Sequence, residues 1–212
     1  MRKAFLAAGL LAALSASPAS ATSVTWDSSN TLNVGEDVVE TFANPGTTPI
    51  SLGGTSAYAY NSDVAGVAVL PRPAGNTGST DGFGAVLGGG EWTYTLTGPM
   101  QVFSFLLGGL DTYNSVTLHF TSGSDVSYNG SQLAAMFSLP ANGSATGRLR
   151  FDQQGGAGIT GVTFASGQNS LEFDDFAVAA PEPATWAMMI FGFGVVGAGM
   201  RRRRRTDGLA HA

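Results

Sequence analysis

The chain contains no cysteine. Disulfide frameworks, zinc–thiolate centres, iron–sulfur clusters and thiol nucleophiles are therefore excluded. Lysine occurs once, at Lys3, and histidine twice, at His119 and His211. There is no Gly-x-Ser-x-Gly elbow, no His-Glu-x-x-His pair and no Gly-Lys-Ser/Thr phosphate loop. Serine hydrolases, zincins and P-loop enzymes lose their sequence signatures with them. Long charged helices are missing as well. Gly, Ser, Thr and Asn are abundant, which favours short strands joined by turns.

The N-terminus reads as a secretory signal. Arg2 and Lys3 are followed by the apolar run Phe5 to Leu14, too short to span a bilayer comfortably. Small residues then crowd Ser15 to Ala21, and Ala19-Ser20-Ala21 fits the small-x-small pattern of signal peptidase. Cleavage after Ala21 leaves Thr22 as the first mature residue, with 1–21 as the signal peptide.

The other end mirrors it. Ala184 to Met200 is uncharged and mostly apolar, and Arg201, Arg202, Arg203, Arg204 and Arg205 follow. Seventeen residues at about 1.5 Å rise give roughly 25 Å, the lower limit for a short transmembrane helix. The arginine block stays on the cytoplasmic side and acts as a membrane stop, leaving what precedes it outside. Trp186 sits at the outer edge, where an amphipathic ring prefers to lie.

Pro181-Glu182-Pro183, then Ala184-Thr185-Trp186-Ala187, an apolar helix and an arginine cluster, together resemble the PEP-CTERM sorting tail in its Trp-Ala variant. The resemblance covers about the last thirty residues. It implies an exosortase as processing partner, a membrane-embedded protease that cuts near Pro-Glu-Pro and releases or transfers the body. The two prolines keep the segment extended and deny it helix formation. Pro181, Glu182, Pro183 and Trp186 are then a substrate's recognition site. The expected organisation is a signal peptide, a body at 22–180, a sorting tail at 181–205 and a cytoplasmic end at 206–212. The chain is inner-membrane anchored before processing, then envelope, surface or extracellular.

The body holds thirteen acids against three arginines (Arg72, Arg148, Arg150), a net charge of about −10. The tail arginines hide this in the whole-chain sum of −5. Such a surface repels nucleic acid and anionic lipid. It suits divalent cations or neutral glycans better.

Strand candidates recur with turn residues between them: Val38–Phe42, Tyr58–Tyr60, Val64–Leu70, Phe83–Leu87, Glu91–Leu96, Val102–Leu107, Val116–Phe120, Gly147–Phe151, Gly161–Ala165 and Leu171–Val178. The glycine-rich stretch 71–90 reads as a loop around one short strand. Ser131–Phe137 is the one short helix. The expected fold is all-β, an antiparallel β-sandwich, jelly-roll-like. In Leu171–Val178 the alternation slips, and a bulge at Asp174-Asp175 would return Leu171, Phe173, Phe176 and Val178 to one face.

Trp92 to Leu96, Phe103 to Ser115, Leu118 to Phe120 and Leu171 to Phe176 follow an order similar to that of a group of exosortase-dependent surface proteins. That group carries Gly-Ser ahead of an x-Asp-x-Tyr-Asn stretch. Here Gly108-Gly109 precede Leu110-Asp111-Thr112-Tyr113-Asn114. The resemblance speaks to location more than to activity.

No motif assigns an acid and a base, so the body is not expected to be an enzyme. A glycosidase needs only two carboxylates across a cleft, which many acids could supply. His119 is expected on a solvent face. Calcium is the one cofactor these residues could hold, through Asp111, Asn114, Asp174 and Asp175, if the loop after Val102–Leu107 meets the last strand. Turn capping is the competing role for Asp111 and Asn114. Asn129-Gly130-Ser131 and Asn142-Gly143-Ser144 read as turns. The expected role is a structural or interaction protein of the envelope or extracellular matrix, associated with exopolysaccharide. The alternative is a glycan-binding module using Trp26, Tyr58, Tyr60, Tyr113 or Tyr128 as an exposed platform. Trp92 and Tyr94 are assigned to packing.

Overall fold

A computed structural model describes residues 22–44, 46–73, 82–179 and 192–194. The signal segment with Ala19 and Ala21 lies outside the described residues. So do Pro181, Glu182, Pro183, Trp186, the five arginines and nearly all of the apolar tail. Among the described residues no helix is long and apolar enough to cross a membrane.

The body is mostly antiparallel β. Its strands are β1 (Ser23–Asp27), β2 (Asp37–Glu40), β3 (Ile50–Ser51), β4 (Thr55–Tyr60), β5 (Phe83–Met100), β6 (Val102–Gly108), β7 (Asn114–Phe120), β8 (Val126–Asn129), β9 (Gly147–Asp152), β10 (Ile159–Ser166) and β11 (Leu171–Ala179). One helix, α1 (Gly130–Phe137), follows β8. The strands join in one curled sheet of order β1-β9-β6-β11-β5-β10-β7-β8, with β2 added to β11 and the β3–β4 pair added to β5.

The eighteen-residue β5 explains the curl. Its first half pairs with β4 and β11, through Tyr60↔Phe83 and Leu171↔Val86. Its second half pairs with β10, through Thr93↔Thr163 and Tyr94↔Val162. The hand-over falls at Gly88-Gly89-Gly90, where side-chain-free backbone bends at little cost. A sheet of this many twisted strands cannot stay flat, and closing on itself buries one face.

That face is built from rings. Phe103, Phe105, Phe164, Phe173 and Phe176 are fully buried. Phe164 and Phe173 have centroids 4.5 Å apart, and Trp92 stacks on Phe173 at 5.5 Å. Each such ring contributes about 1.5–3 kcal/mol by leaving water. Trp92 Nε1 donates to the Leu52 carbonyl at 2.9 Å, so the packing role assigned to Trp92 and Tyr94 holds.

The expected bulge is present. The register of β11 against β6 shifts between Asp174 and Ala177, and Asp175 has φ +45°. Leu171, Phe173, Phe176 and Val178 all enter the same core. Other expectations need correction. Val64–Leu70 is no strand: Val64 and Ala68 form an isolated bridge around a turn. This segment covers the outer side of β5, where Ala68 joins Tyr60, Phe83 and Ala85 in a second small cluster. Residues 83–100 run as one strand, although the glycines read as loop. Strands β1, β3 and β8 were not expected. Helix α1 begins on a capping box: the Asn129 side chain accepts from Gln132 N, and Gln132 Oε1 accepts from Asn129 N, each at 2.9 Å. Asn129 is thus an N-cap.

Candidate functional site

Two polar clusters hang on β11. The first surrounds Glu172. In the register, Glu172 faces Gly108, the last residue of β6. The chain then turns through Gly109 to Asn114. Asn114 N donates to the Asp111 carbonyl at 3.1 Å, closing the turn. The Asn114 side chain donates to the Gly109 carbonyl at 3.1 Å and accepts from Ser166 Oγ at 2.9 Å. Asn114 is buried, so it braces two loops and has no lone pair directed to solvent. The capping role weighed for it from sequence is the one the geometry gives.

Asp111 forms an isolated bridge with Asn142, and Gly143 N donates to the Leu110 carbonyl at 3.0 Å. The start of α1 presses on the same turn: a Cβ at Gly130 would lie 1.8 Å from the Asp111 carbonyl oxygen. Only glycine allows that approach.

The result is a cleft of about 320 Å³. Asp111 and Glu172 both line it, with Thr146, Asn169 and Ser170 supplying polar groups. Val67, Leu70 and Pro71 form an apolar wall. Gly109 and Gly143 lie between the two carboxylates. A Cβ at Gly109 would stand 3.1 Å from Glu172 Oε2, and one at Gly143 would stand 3.2 Å from Asp111 Oδ2. Both glycines have positive φ, +63° and +78°, so backbone and space call for glycine together.

Glu172 is 7 % exposed. Its Oε1 accepts from Val69 N at 3.1 Å and from Ser170 Oγ. Oε2 accepts no hydrogen bond from the described residues. Burial raises the Glu172 carboxyl above its usual range, and the Asp111 charge adds to that, against the hydrogen bonds from Ser170 and Val69. The Tyr113 hydroxyl lies 2.8 Å from Asp111 Oδ2 and 3.0 Å from the Asn169 carbonyl, with one proton to give. Burial, the hydrogen bond to Asp111 and the two nearby carboxylates push Tyr113 up to about 12.

The second cluster surrounds Asp174, which faces Leu106 in the register. Asp174 is wholly buried. Its Oδ1 accepts from Asp175 N at 2.8 Å, and Oδ2 has no partner among the described residues. Burial and the neighbouring Asp175 charge raise Asp174 to about 8. Arg148 is buried beside it. It donates to Asn30 Oδ1 at 2.6 Å, to Ser104 Oγ at 2.9 Å and to the Asp175 carbonyl at 3.0 Å. Asn30 in turn donates to the Asp175 carboxylate. Next to it, Arg150 grips Glu36 with Nε and Nη2 at 3.0 and 2.6 Å.

Asp111 and Asn114 thus belong to one cluster, and Asp174 and Asp175 to the other. The structure does not bring the four together as the expected calcium set. Among the described residues no three Asp, Glu or His side chains converge on a metal position. The physical reason is strand geometry: Glu172, rather than Asp174, is the β11 residue level with the Asp111 turn. Sequence reasoning missed Glu172, although its place beside Leu171 and Phe173 on a strand next to Gly108 was the available signal. His119 is half-exposed on the outer sheet face. It contacts Asp125 Oδ2 at 2.8 Å and Thr163 Oγ1 at 2.6 Å, a cluster on the sheet surface.

None of the five aromatic platform candidates stands free. Tyr60 is buried. Trp26 stacks on Phe137 at 6.4 Å, Tyr128 on Phe151 at 5.4 Å, and Tyr58 packs on Tyr60. Tyr113 is half-buried, its hydroxyl held by Asp111 and the Asn169 carbonyl.

This architecture defines a class no narrower than an acidic β-domain with a small polar cleft. The chain as a whole is placed by its end: residues 179–205 carry the PEP-CTERM protein-sorting motif. That motif is the signal of an exported protein processed by an exosortase, destined for the cell surface or the extracellular space. Comparison with curated proteins and with solved structures finds no match.

Proposed function

We propose that the body is a structural or interaction component of the cell envelope or extracellular matrix, associated with exopolysaccharide and delivered by exosortase processing. The carrying observation is positional. The sorting motif begins at residue 179, where the final strand β11 ends. Cleavage near Pro181-Glu182-Pro183 would then free a complete domain with β11 still paired on both sides. On this reading a signal peptide cut after Ala21 releases the other end, just ahead of β1 at Ser23. The apolar run to Met200 and Arg201–Arg205 hold the precursor in the inner membrane until then.

The packed aromatics support an interaction role over a stacking platform, because among the described residues no pair of exposed rings is available for a sugar face. On this reading the body performs no catalysis, and its curled sheet is a variant of the jelly-roll-like sandwich. The test is mass spectrometry of the protein from cell-surface and culture fractions, for the natural chain and for a variant with Pro181-Glu182-Pro183 replaced by alanines. The natural chain is expected without residues 1–21 and without the arginine tail. The variant is expected to stay in the membrane fraction with the tail intact. Identical processing of both would refute the reading.

A further inference from the structure

We infer that the Asp111–Glu172 cleft is a binding pocket for a neutral saccharide unit. The inference deepens the exopolysaccharide reading above, and rests on it for the source of the ligand.

The chemistry of the lining selects the ligand. Two carboxylates provide acceptors on either side of a glycine floor, and Glu172 Oε2 takes no hydrogen bond from the described residues while its residue lines the cleft. A carboxylate oxygen at the cleft surface accepts readily, so a donor-rich ligand can supply that hydrogen bond. Vicinal hydroxyls are such donors. The Asn169 amide and the Thr146 hydroxyl can meet the remaining sugar oxygens. The Val67, Leu70 and Pro71 wall offers an aliphatic surface for the C–H face of a sugar ring. No Arg or Lys is among the described lining residues, so phosphate and uronate ligands meet the Asp111 and Glu172 carboxyls there. A volume of about 320 Å³ lies at the small end of ligand pockets, suiting one or two sugar units rather than a long chain. The floor is purpose-shaped: Gly109 and Gly143 both leave open the space between the carboxylates, where any side chain would intrude.

The test uses the purified exported protein, with methyl glycosides of glucose, galactose and mannose as probes and glucuronic acid as the charged control. Saturation-transfer NMR and the thermal midpoint are read together. At least one neutral glycoside is expected to receive saturation and raise the midpoint, while glucuronic acid does neither. Asp111→Asn and Glu172→Gln should each weaken binding tenfold or more with unchanged circular dichroism. Gly109→Ser should block the pocket. Silence of all three neutral probes would overturn the inference. So would equal binding by both carboxylate variants, a midpoint that responds to calcium chloride alone, or release of reducing sugar, which would make the cleft catalytic. Co-sedimentation with the native exopolysaccharide separates the two readings. If natural protein and Glu172→Gln co-sediment equally, the matrix reading survives and the pocket falls. If the natural protein fails to co-sediment, the matrix reading itself falls.

Discussion

Glu172 and Asp174 stand two residues apart on the same strand, and both are buried acids raised above the ordinary carboxylate range. Their surroundings differ. Glu172 opens onto a glycine-floored cleft with one oxygen uncommitted. Asp174 is sealed under the bulge, beside a web of Arg148, Asn30, Ser104 and Asp175 that ties the segment before β2 to the sheet. One strand thus carries an acid that can be reached from outside and an acid that cannot. A shifted carboxyl alone does not mark a binding site; access does.

The sealed side should be the costlier to disturb. The largest effect is expected at Arg150, whose guanidinium forms two hydrogen bonds to the buried Glu36 carboxylate. Burial alone would raise Glu36, yet the hydrogen bonds from Arg150, Ser104 and Asn33 N leave it below its ordinary value. Arg150→Met strands that charge and should cost about 3–5 kcal/mol in denaturant unfolding. Pairing it with Glu36→Leu should recover most of the loss, because no buried charge then remains. If the double variant is as unstable as the single, packing rather than charge holds this side.

Asp174 should respond in the opposite sense. Its folded value of about 8 lies above the ordinary 3.8, so the fold binds a proton that the unfolded chain releases. Its stabilising contribution is complete below about pH 4 and is lost as pH rises towards 8. Asp174→Asn removes that loss by keeping the side chain neutral at every pH. The variant should gain about 1–3 kcal/mol near pH 8 and little near pH 4. Urea midpoints at the two pH values measure this. A gain of equal size at both would exclude titration as the cause.

This division was only half legible in the sequence. The slip of phase between Phe173 and Phe176 announced the bulge, because alternation is a local property. The Asp-x-Tyr-Asn stretch announced a turn for the same reason. What Asp111 faces depends on the register of β11 against β6, a non-local quantity, so Asp174 was chosen where Glu172 stands. Strand β5 was divided because Gly88 to Gly90 read as loop, whereas pairing on both sides holds them extended. The sorting motif at 179–205 was legible, since its signal lies in contiguous sequence.

On the open side, Gly109→Ala should cost about 1–2 kcal/mol, from the left-handed backbone that alanine resists. The added methyl would also sit 3.1 Å from Glu172 Oε2. Gly98, with nothing within 4 Å of its added Cβ and no positive φ, is the control. Gly98→Ala should leave the thermal midpoint nearly unchanged. Equal losses at both positions would mean that the cleft floor imposes no special constraint.

The smallest effect is the most local. Tyr113 is held near 12 by burial first, then by donation to Asp111 and by the charges of Asp111 and Glu172. Asp111→Asn removes one charge and weakens the acceptor, so the phenol should ionise at lower pH. Glu172→Gln removes only the more distant charge and should move it less. A difference ultraviolet titration, each variant against the natural protein, isolates this one tyrosine from the other four. The same substitutions at Asp174 should leave the Tyr113 curve in place, because that acid lies in the other cluster. A shift caused by Asp174→Asn would join the two sides of β11 electrostatically and dissolve the distinction between the reachable acid and the sealed one.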